Sequence, residues 1–293
     1  MNIVKLFVIF MIYDSIERSF MLFINDFLKV YRLNLNNLLG LYKMAAYDNH
    51  PCFPQPDSEG ISLWKYMDFT KFISLITYQK IFLCRSDLFD DPFEGTFPRK
   101  IIEYVHGIHS GDIDETIAKF IKSVYKFNKF ARQHTYISCW HANDFESAAM
   151  WELYSKNDAS VAIETTYADL KKLLPLDAMI GMVKYIDYDS DTFPLDNTFY
   201  PFTHKRKSFE HEREVRFLIQ KIPYNSEGDE VNFQEMVSPN VIPVDVDVSS
   251  FVKKIHLSPR APEWMLTLLQ DVVKKYSIDV EVRRSNLYLS PVY

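Results

Sequence analysis

The sequence predicts an α+β fold: a mixed, mainly antiparallel sheet or sheets with several packed helices, in a single compact domain behind a helical N-terminal extension. Apolar residues make up 47% of the 293 positions, which is enough for a substantial core. Apolar stripes at helical spacing and short alternating runs both occur along the chain. They do not follow the regular strand–helix order of a parallel sheet, and this favours α+β over a doubly wound fold.

Residues 1–60 are predicted to form a helical extension and linker, and residues 61–293 the α+β domain. Apolar side chains recur at helical spacing through the first 47 residues. The segment from Asp48 to Gly60 has three prolines and no periodicity, which is typical of a linker or an ordered loop.

The apolar run from Met1 to Tyr13 needs separate treatment. It is too short to span a bilayer, which takes about 20 apolar residues, and no small-residue cleavage site follows it. We therefore expect a buried or amphipathic helix and no transmembrane anchoring. A membrane-associated helix and a true start at Met44 are the alternatives.

Helices and strands beyond residue 61 follow from the same patterns. A helix is predicted from Asp68 to Tyr78, with Asp68 or Thr70 as its cap, and a long helical stripe runs from Ile113 to Phe127. Further helices are predicted at Phe145–Ser155, Tyr167–Leu174 and Pro262–Tyr276. Strands are predicted at Ile81–Cys84, Thr135–Trp140, Ser160–Glu164, Met182–Asp187, Glu214–Gln220, Val241–Asp247, Lys254–Leu257 and Ile278–Arg283.

Composition restricts the classes of function. The net charge of −6 and the isoelectric point near 5.8 argue against a bulk attraction to nucleic acid or anionic membranes, although a local basic patch is compatible with them. Seven glycines are too few and too scattered for a glycine-rich phosphate loop. Cys52, Cys84 and Cys139 form no paired motif, so we expect no metal site, no disulfide framework and a reducing, cytoplasmic location.

The first candidate segment joins Trp64-Lys65-Tyr66 to the acidic turn Asp90-Asp91-Pro92-Phe93-Glu94-Gly95. In the structural interpretation, Asp90 caps the turn and Phe89 and Phe93 anchor it in the core. In the functional interpretation, a carboxylate such as Asp91 or Glu94 is held at the edge of a cleft, where it meets a ribose hydroxyl or a cation.

The second candidate segment runs from Tyr136 to Asn143 and leads into the helix that carries Trp151 and Tyr154. A strand that ends in polar and aromatic residues before a helix is a common ligand position. Cys139 and His141 share a strand face, but no third group orients them as a nucleophile and its base. Trp151 and Tyr154 share a helix face. They either pack in the core or form a platform for a base or a nicotinamide ring.

The third and strongest candidate segment is the charged run from His204 to Arg216. A strand over Glu212–Arg216 would place Glu212, Glu214 and Arg216 on one face. Such a row is costly unless it is solvated, mutually paired or turned towards a ligand. A salt-bridged exposed strand and a ligand site are both compatible with it, and Lys205 to Lys207 can be a solvated basic loop.

These segments, in this order, resemble the bacterial family called domain of unknown function 2971. The resemblance rests on the WKY strand, the DPFEG turn, the SCW and MWELY segments, the VKY strand, the EHEREVR run and the IHLSPRAPEW segment, and it covers about residues 63–293. It implies a single α+β domain and does not itself imply an activity.

A weaker likeness is to the mono-ADP-ribosyltransferases. Glu212-x-Glu214 is similar to their catalytic glutamates, and Ser138 to their serine strand. The likeness implies that Glu214 is catalytic with help from Glu212, that Tyr154 or Trp151 stacks on nicotinamide, and that NAD is a substrate. Lys65 stands near the place of their first-strand basic residue.

The leading hypothesis is therefore a nucleotide- or nucleic-acid-directed protein, an ADP-ribosyltransferase-like defence or toxin enzyme that uses the Glu-x-Glu strand. The alternative is a non-catalytic module that binds phosphate or nucleotide through a local basic patch with Lys205 and Arg216 in the same cleft. A purely structural role for all three segments is the third hypothesis. Each ligand hypothesis requires the three segments to converge on one place.

Overall fold

A computed structural model of the chain describes residues 50–107, 115–154, 158–195, 197–225, 231–234 and 239–291. They form helices and a mixed, mainly antiparallel sheet, which confirms the α+β class. The predicted helices before residue 48 lie outside the described residues. One compact unit contains the described residues 50–222 and 233–291. In a second unit, Tyr224 and Val231 form an isolated antiparallel bridge.

The strands of the described ranges are β1 Ser62–Asp68, β2 Lys80–Arg85, β3 Thr135–Ala142, β4 Ser160–Thr166, β5 Ala178–Met182, β6 Lys184–Ile186, β7 His204–Arg206, β8 Glu214–Gln220, β9 Val241–Asp245, β10 Lys254–Leu257 and β11 Glu281–Arg284. The helices are α1 Phe69–Tyr78, α2 Arg99–Gly107, α3 Glu115–Arg132, α4 Ala148–Tyr154, α5 Tyr167–Leu173, α6 Tyr200–Thr203, α7 Val248–Phe251 and α8 Glu263–Lys275. Short 3₁₀ segments cover Ser86–Leu88 and Lys207–Glu212.

Most of the predicted elements are confirmed, and Asp68 caps α1 by accepting a hydrogen bond from the backbone N–H of Lys71 at 2.8 Å. The structure differs from the predicted elements in three respects. The strand predicted at Met182–Asp187 covers the last residue of β5 and all of β6, which are separated at Val183. Helices α2, α6 and α7 and strand β7 were not predicted. The last strand begins at Glu281 rather than Ile278, because Ile278 is buried in the turn that ends α8.

The segment from residue 50 to residue 60 packs along β5. Cys52 and Phe53 are buried, the carbonyl of Pro54 accepts from the N–H of Met182 at 2.7 Å, and the Gln55 amide donates to the carbonyl of Ile180 at 2.9 Å. These hydrogen bonds satisfy backbone groups at the edge of β5.

Strand β3 lies at the centre of the sheet, whose order is β11-β10-β4-β1-β3-β2-β9. One edge of β3 pairs with β8 along its length, and β5 lies beyond β8. The other edge is shared: β1 pairs with its end at His141 and Ala142, and β2 pairs lower down at Tyr136 and Ile137. Between these pairings, Ser138 to Trp140 have no strand partner on that edge within the described ranges. The sheet is therefore split between β1 and β2.

The two faces of this sheet differ in chemistry because side chains alternate along each strand. Val215, Phe217 and Ile219 of β8 enter the apolar core, together with the buried faces of α1, α5 and α8. The opposite face, called the polar face below, carries the following cross-strand neighbours: Glu214 and Arg216 of β8, Cys139 and His141 of β3, Trp64 and Tyr66 of β1, Glu164 of β4 and His256 of β10. Most of the unusual polar residues on the strands thus share one side of the sheet, whereas Lys65 and Ser138 lie on the other.

Gly181 on β5 provides a test of this packing. It lies opposite Arg216, and a Cβ atom there would come within 2.8 Å of the backbone of Phe53. We expect Gly181→Ala to lower the free energy of unfolding by about 1–3 kcal/mol, since overpacking forces backbone shifts. Thermal unfolding of this variant beside Gly60→Ala measures it, because a Cβ at Gly60 meets only Ser58 Oγ at 3.4 Å. Equal midpoints for the two variants would contradict the packing described here.

Candidate functional site

The guanidinium of Arg216 is the centre of a buried ion cluster on the polar face. Only 1% of this side chain is exposed. It donates to both carboxylate oxygens of Glu94, to Glu214 through Nε, and to the carbonyl of Phe202 at 2.9 Å. Burial alone would lower the pKa of Arg216, but the carboxylates of Glu214 and Glu94 outweigh it and hold that pKa well above its usual value.

Lys205 on β7 connects two further carboxylates to the cluster. Its Nζ donates to Glu212 Oε2 at 2.5 Å and to Glu214 Oε1 at 2.7 Å, and all three side chains are buried. Glu214 is therefore bridged between Lys205 and Arg216. We call Glu94, Lys205, Glu212, Glu214 and Arg216 the ion cluster.

The two neighbouring glutamates of the ion cluster differ in acidity. Burial would raise the pKa of Glu214, but Arg216, a hydrogen bond from Glu212 and Lys205 lower it well below its usual value. Burial and the adjacent Glu214 raise the pKa of Glu212 to about 7, although Lys205 opposes them. One carboxylate is thus fixed as an anion, and the other changes its protonation state near neutral pH.

The prediction that Glu212 lies on the strand with Glu214 and Arg216 was wrong. Glu212 ends the 3₁₀ segment, and Arg213 then adopts a left-handed conformation (φ 42°, ψ 53°) before β8 begins at Glu214. Strand alternation through Glu212 would have placed Arg213 on the same face as Val215, but Arg213 is exposed and donates to Asn143 Oδ1 at 3.1 Å. Glu212 reaches Glu214 because both bind the ammonium of Lys205, not because they share a strand face.

The basic run also differs from a solvated loop. Lys205 is buried and paired twice, and Arg206 donates to Asp91 Oδ1 at 2.8 Å with its guanidinium 4.3 Å from the Phe93 ring centre. Lys207 is exposed. A basic patch made of these residues is therefore largely neutralised by the chain's own carboxylates.

The acidic turn delivers Glu94 to the ion cluster. Gly95 has φ 68°, and a Cβ there would lie 2.7 Å from the ring of Phe202, so this position requires glycine on both grounds. Asp91, and not Asp90, caps the turn by accepting from the N–H of Phe93 at 3.0 Å, while Asp90 is exposed. The capping carboxylate of the turn is thus Asp91 rather than the predicted Asp90, and Glu94 is buried against Arg216 rather than held at an open edge.

Trp64, Tyr66 and Trp151 pack together beside the ion cluster as a buried aromatic group. Trp64 donates to the carbonyl of Asn143 at 2.8 Å, and Trp151 donates to Glu146 Oε2 at 3.0 Å. The hydroxyl of Tyr66 accepts from the N–H of Ser147 at 2.8 Å. The polar atoms of these rings are thus occupied within the chain, and the group holds α4 against β1.

Tyr154 differs from these rings because 43% of it is exposed. Its hydroxyl lies 3.4 Å from Glu212 Oε1, and burial followed by the charge of Glu212 raises its pKa. Tyr154 is therefore the side chain through which the ion cluster reaches the surface of the described chain on this side.

Lys65 and Ser138 meet at the split in the sheet. Lys65 Nζ donates to Ser138 Oγ at 3.1 Å and to the carbonyl of Cys139 at 3.0 Å, where β3 lacks a strand partner in the described part of the chain. Burial lowers the pKa of Lys65. Both side chains project from the sheet face opposite Glu214, so neither belongs to the ion cluster.

His141 was considered only as a base for Cys139, and the structure gives it another place. Its Nδ1 lies 2.6 Å from the carbonyl of Glu212, and its ring is buried between Glu214 and Tyr66. Burial raises the pKa of the Cys139 thiol, which argues against a nucleophilic thiolate there. Strand alternation from Cys139 could have placed His141 on the same face as Glu214, had the pairing of β3 with β8 been known.

The three predicted segments thus converge, with some redistribution. Glu94, Lys205, Glu212, Glu214, Arg216 and Tyr154 come together, and Trp64, Tyr66 and Trp151 lie beside them through His141 and α4. Asp91 pairs with Arg206 at the margin. A shallow groove of about 460 Å³ lies elsewhere, between α8 and β11.

No family model, curated protein or solved structure matches this chain. The two resemblances described from the sequence therefore stay predictions. Within the described residues, no helix is long and apolar enough to cross a membrane. The same residues contain no group of three or more His, Cys, Asp or Glu side chains arranged to hold a metal ion.

Removing the central cation tests the ion cluster. We expect Arg216→Met to lower the free energy of unfolding by about 3–5 kcal/mol, because it leaves Glu94 and Glu214 buried without their cation. Arg99→Met is the control: Arg99 pairs with Glu103 on an exposed helix surface, where the loss should stay below about 1 kcal/mol. Urea unfolding of both variants measures the difference, and similar losses would mean that the cluster is not the stabilising centre.

The raised pKa of Glu212 predicts a pH dependence of stability. The folded chain holds a proton on Glu212 that the unfolded chain has already released, so this group's contribution to stability is present below the unfolded pKa and falls as pH rises through 7. We expect the melting temperature of the parent to fall relative to that of Glu212→Gln between pH 5.5 and 8.5. Parallel profiles would show that Glu212 titrates normally.

Proposed function

We propose that this chain is a nucleotide-directed enzyme of the ADP-ribosyl-transfer type, in which Glu212 accepts the proton or hydrogen bond of a reacting hydroxyl. The observation that carries the proposal is the pair Glu212 and Glu214. One carboxylate has a pKa near 7 and lies next to the partly exposed Tyr154, and the other is held as an anion behind it. Carboxyl pairs with divergent pKa values are typical of acid–base sites.

The proposal exchanges the roles that the sequence assigned to the two glutamates. Both oxygens of Glu214 are occupied, Oε1 by Lys205 and Oε2 by Arg216. Glu212 Oε2 binds Lys205, whereas its Oε1 has the long 3.4 Å contact with the hydroxyl of Tyr154. A ligand hydroxyl that replaces this weak contact costs little, so Glu212 is the more available carboxylate.

The proposed reaction transfers the ADP-ribosyl group of NAD. The bond from the ribose C1′ to the nicotinamide nitrogen breaks, and its electron pair leaves with nicotinamide. When Glu212 is ionised, the three carboxylates of the ion cluster outnumber its two cations, and this negative charge would stabilise the positive charge that develops on the ribose ring. Water or a hydroxyl of the target forms the new bond to C1′ and gives its proton to Glu212, whose pKa near 7 suits a base at neutral pH.

A non-catalytic phosphate-binding module is the second candidate, and the charge pairing argues against it. Lys205 pairs with Glu212 and Glu214, and Arg216 pairs with Glu94 and Glu214. Arg206 pairs with Asp91. A phosphate would have to displace these partners, and it would meet a cluster in which three carboxylates outnumber two cations. The wider assignments to bacterial defence or toxin action and to the cytoplasm rest on the sequence resemblances and the cysteine pattern alone.

Release of nicotinamide from NAD by the purified full chain tests the proposal. We expect the parent to release nicotinamide and Glu212→Gln to do so at least about 100-fold more slowly, the usual effect of removing a general base. Glu210→Gln is the matched control, since Glu210 is an exposed carboxylate two residues earlier in the same 3₁₀ segment. Thermal unfolding of each variant confirms that the fold is retained.

Three outcomes separate the hypotheses. A parent that neither binds NAD by calorimetry nor releases nicotinamide overturns the proposal. Binding of NAD that survives Glu212→Gln but is lost in Lys205→Ala favours the phosphate-binding module. Equal rates for Glu212→Gln and Glu210→Gln would also exclude Glu212 as the base.

A further inference from the structure

Strand β11 leaves one edge of the sheet without a strand partner in the described part of the chain. It pairs with β10 through Glu281 to Arg284 and stands last in the strand order. Its outer edge therefore presents backbone N–H and C=O groups that water or another strand must satisfy. Native sheets commonly protect such an edge, so an edge without protection indicates a partner strand.

The two other ends of the sheet are protected. Strand β9 contains Pro243, which has no N–H to donate and is typical of edge strands that take no further partner. Strand β5 is covered by the segment of Pro54 and Gln55, which form hydrogen bonds with its backbone. Within the described residues, β11 has neither a proline nor a covering segment of this kind.

The side chains of β11 alternate in charge and exposure. Glu281 and Arg283 are exposed on the polar face, where Oε1 of the first and Nη1 of the second lie 4.0 Å apart. Val282 projects from the other face, is half-buried, and lines the shallow groove together with Val273 and Val280. Charges of one sign would repel a second copy of the strand, but β11 has charges of both signs beside an apolar strip.

The order of these residues selects one way of pairing β11 with itself. A two-fold axis perpendicular to the sheet makes the two copies antiparallel, and it must pass through a residue because opposite residues share a face. An axis through Glu281 places two glutamates opposite each other, and an axis through Arg283 or Arg284 places two arginines there. An axis through Val282 places Glu281 of each copy opposite Arg283 of the other. Unlike charges directly opposite each other stabilise a strand pair and like charges destabilise it, so only the axis through Val282 gives a self-complementary edge.

We propose that a second copy of this chain binds along β11, antiparallel and centred on Val282, so that the two sheets become one continuous sheet. Two ion pairs between Glu281 and Arg283 cross the interface, and the two Val282 side chains meet between the grooves of the two copies. The polar face then continues from one copy into the other. This inference does not depend on the proposed function.

Sedimentation equilibrium of the full chain tests the proposal. An interface built on one short strand is small, so the concentration series should extend from roughly 1 to 100 µM. We expect the mean mass to rise along this series from the 34.6 kDa of one chain towards twice that value. A parent that keeps the mass of one chain throughout overturns the proposal.

Charge reversal on the strand tests the interface itself. Glu281→Arg turns both cross-copy pairs into arginine pairs, and Arg283→Glu turns both into glutamate pairs. We expect each variant to raise the Kd of the dimer about 10-fold or more. Glu103→Arg is the matched control, because Glu103 is an exposed glutamate paired with Arg99 on α2, and it should leave the Kd unchanged. A dimer that neither reversal weakens uses another surface, and this result also overturns the proposal.

Mixing the two charge-reversed variants tests the register. In a mixed dimer, the two arginines of the Glu281→Arg chain lie opposite the two glutamates of the Arg283→Glu chain. We therefore expect the mixture to associate more strongly than either variant alone, which sedimentation of one fluorescently labelled variant in the presence of the other measures. A mixture that associates no better than its components contradicts the pairing centred on Val282. Thermal unfolding of each variant checks that the fold is retained, since exposed ion pairs contribute little to stability.

Discussion

The contact between the Arg216 guanidinium and the carboxylates of Glu94 and Glu214 is the constraint on which the rest of the site depends. It joins three parts of the chain that are far apart in sequence: the acidic turn, β8 and the carbonyl end of α6. A buried charge is tolerated only when it is paired and its hydrogen bonds are satisfied. Three further residues meet that requirement: Gly95 leaves room for the ring of Phe202, the carbonyl of Phe202 accepts from Arg216, and Lys205 donates to Glu214.

The ion cluster exists because one sheet has two chemically distinct faces. Val215 and Phe217 contribute to the apolar core that stabilises the fold, while Glu214 and Arg216 alternate with them on the polar face. The large apolar core offsets the cost of burying charges on the other side. Apolar residues on both faces would stabilise a sheet at least as well as a buried ion cluster, and this contrast supports the proposal that the polar face binds a ligand.

Much of the fold could be predicted from the sequence, because apolar residues repeat with the period of the helix or strand whose face they bury. The strand Glu214–Gln220 and the helix over Phe69–Tyr78 lie where the patterns indicated. The site was harder to predict. The left-handed Arg213 interrupts the alternation that had placed Glu212 on the strand, and no local pattern signals a left-handed arginine. The burial of Lys205 depends on carboxylates seven and nine residues away, whose position is a tertiary property.

The unsatisfied Nε2 of His141, which has no partner among the described residues, could not be predicted from the sequence for a related reason. Its tautomer is set by the backbone carbonyl of Glu212, which is 71 residues away. Every residue has a backbone carbonyl, so the residue types in a sequence do not indicate which carbonyl accepts a hydrogen bond from a distant side chain. The convergence of the three segments, by contrast, was a sound expectation, since unusual polar residues on strands have few tolerable surroundings.

The split between β1 and β2 makes β3 important for the alignment of the whole sheet. Both strands pair with the same edge of β3, β1 near its C-terminal end and β2 near its N-terminal end. Between them, the carbonyl of Cys139 accepts from Lys65. A shift of one residue in β1 would reverse the faces of β1 and of the strands that are aligned through it, β4, β10 and β11, whereas the same shift in β3 would change its alignment with β1, β2 and β8 at once. We therefore expect insertions and deletions to be tolerated better in the outer strands than in β3, because three strands align on β3 and the charged and apolar faces of the remaining strands follow from those three.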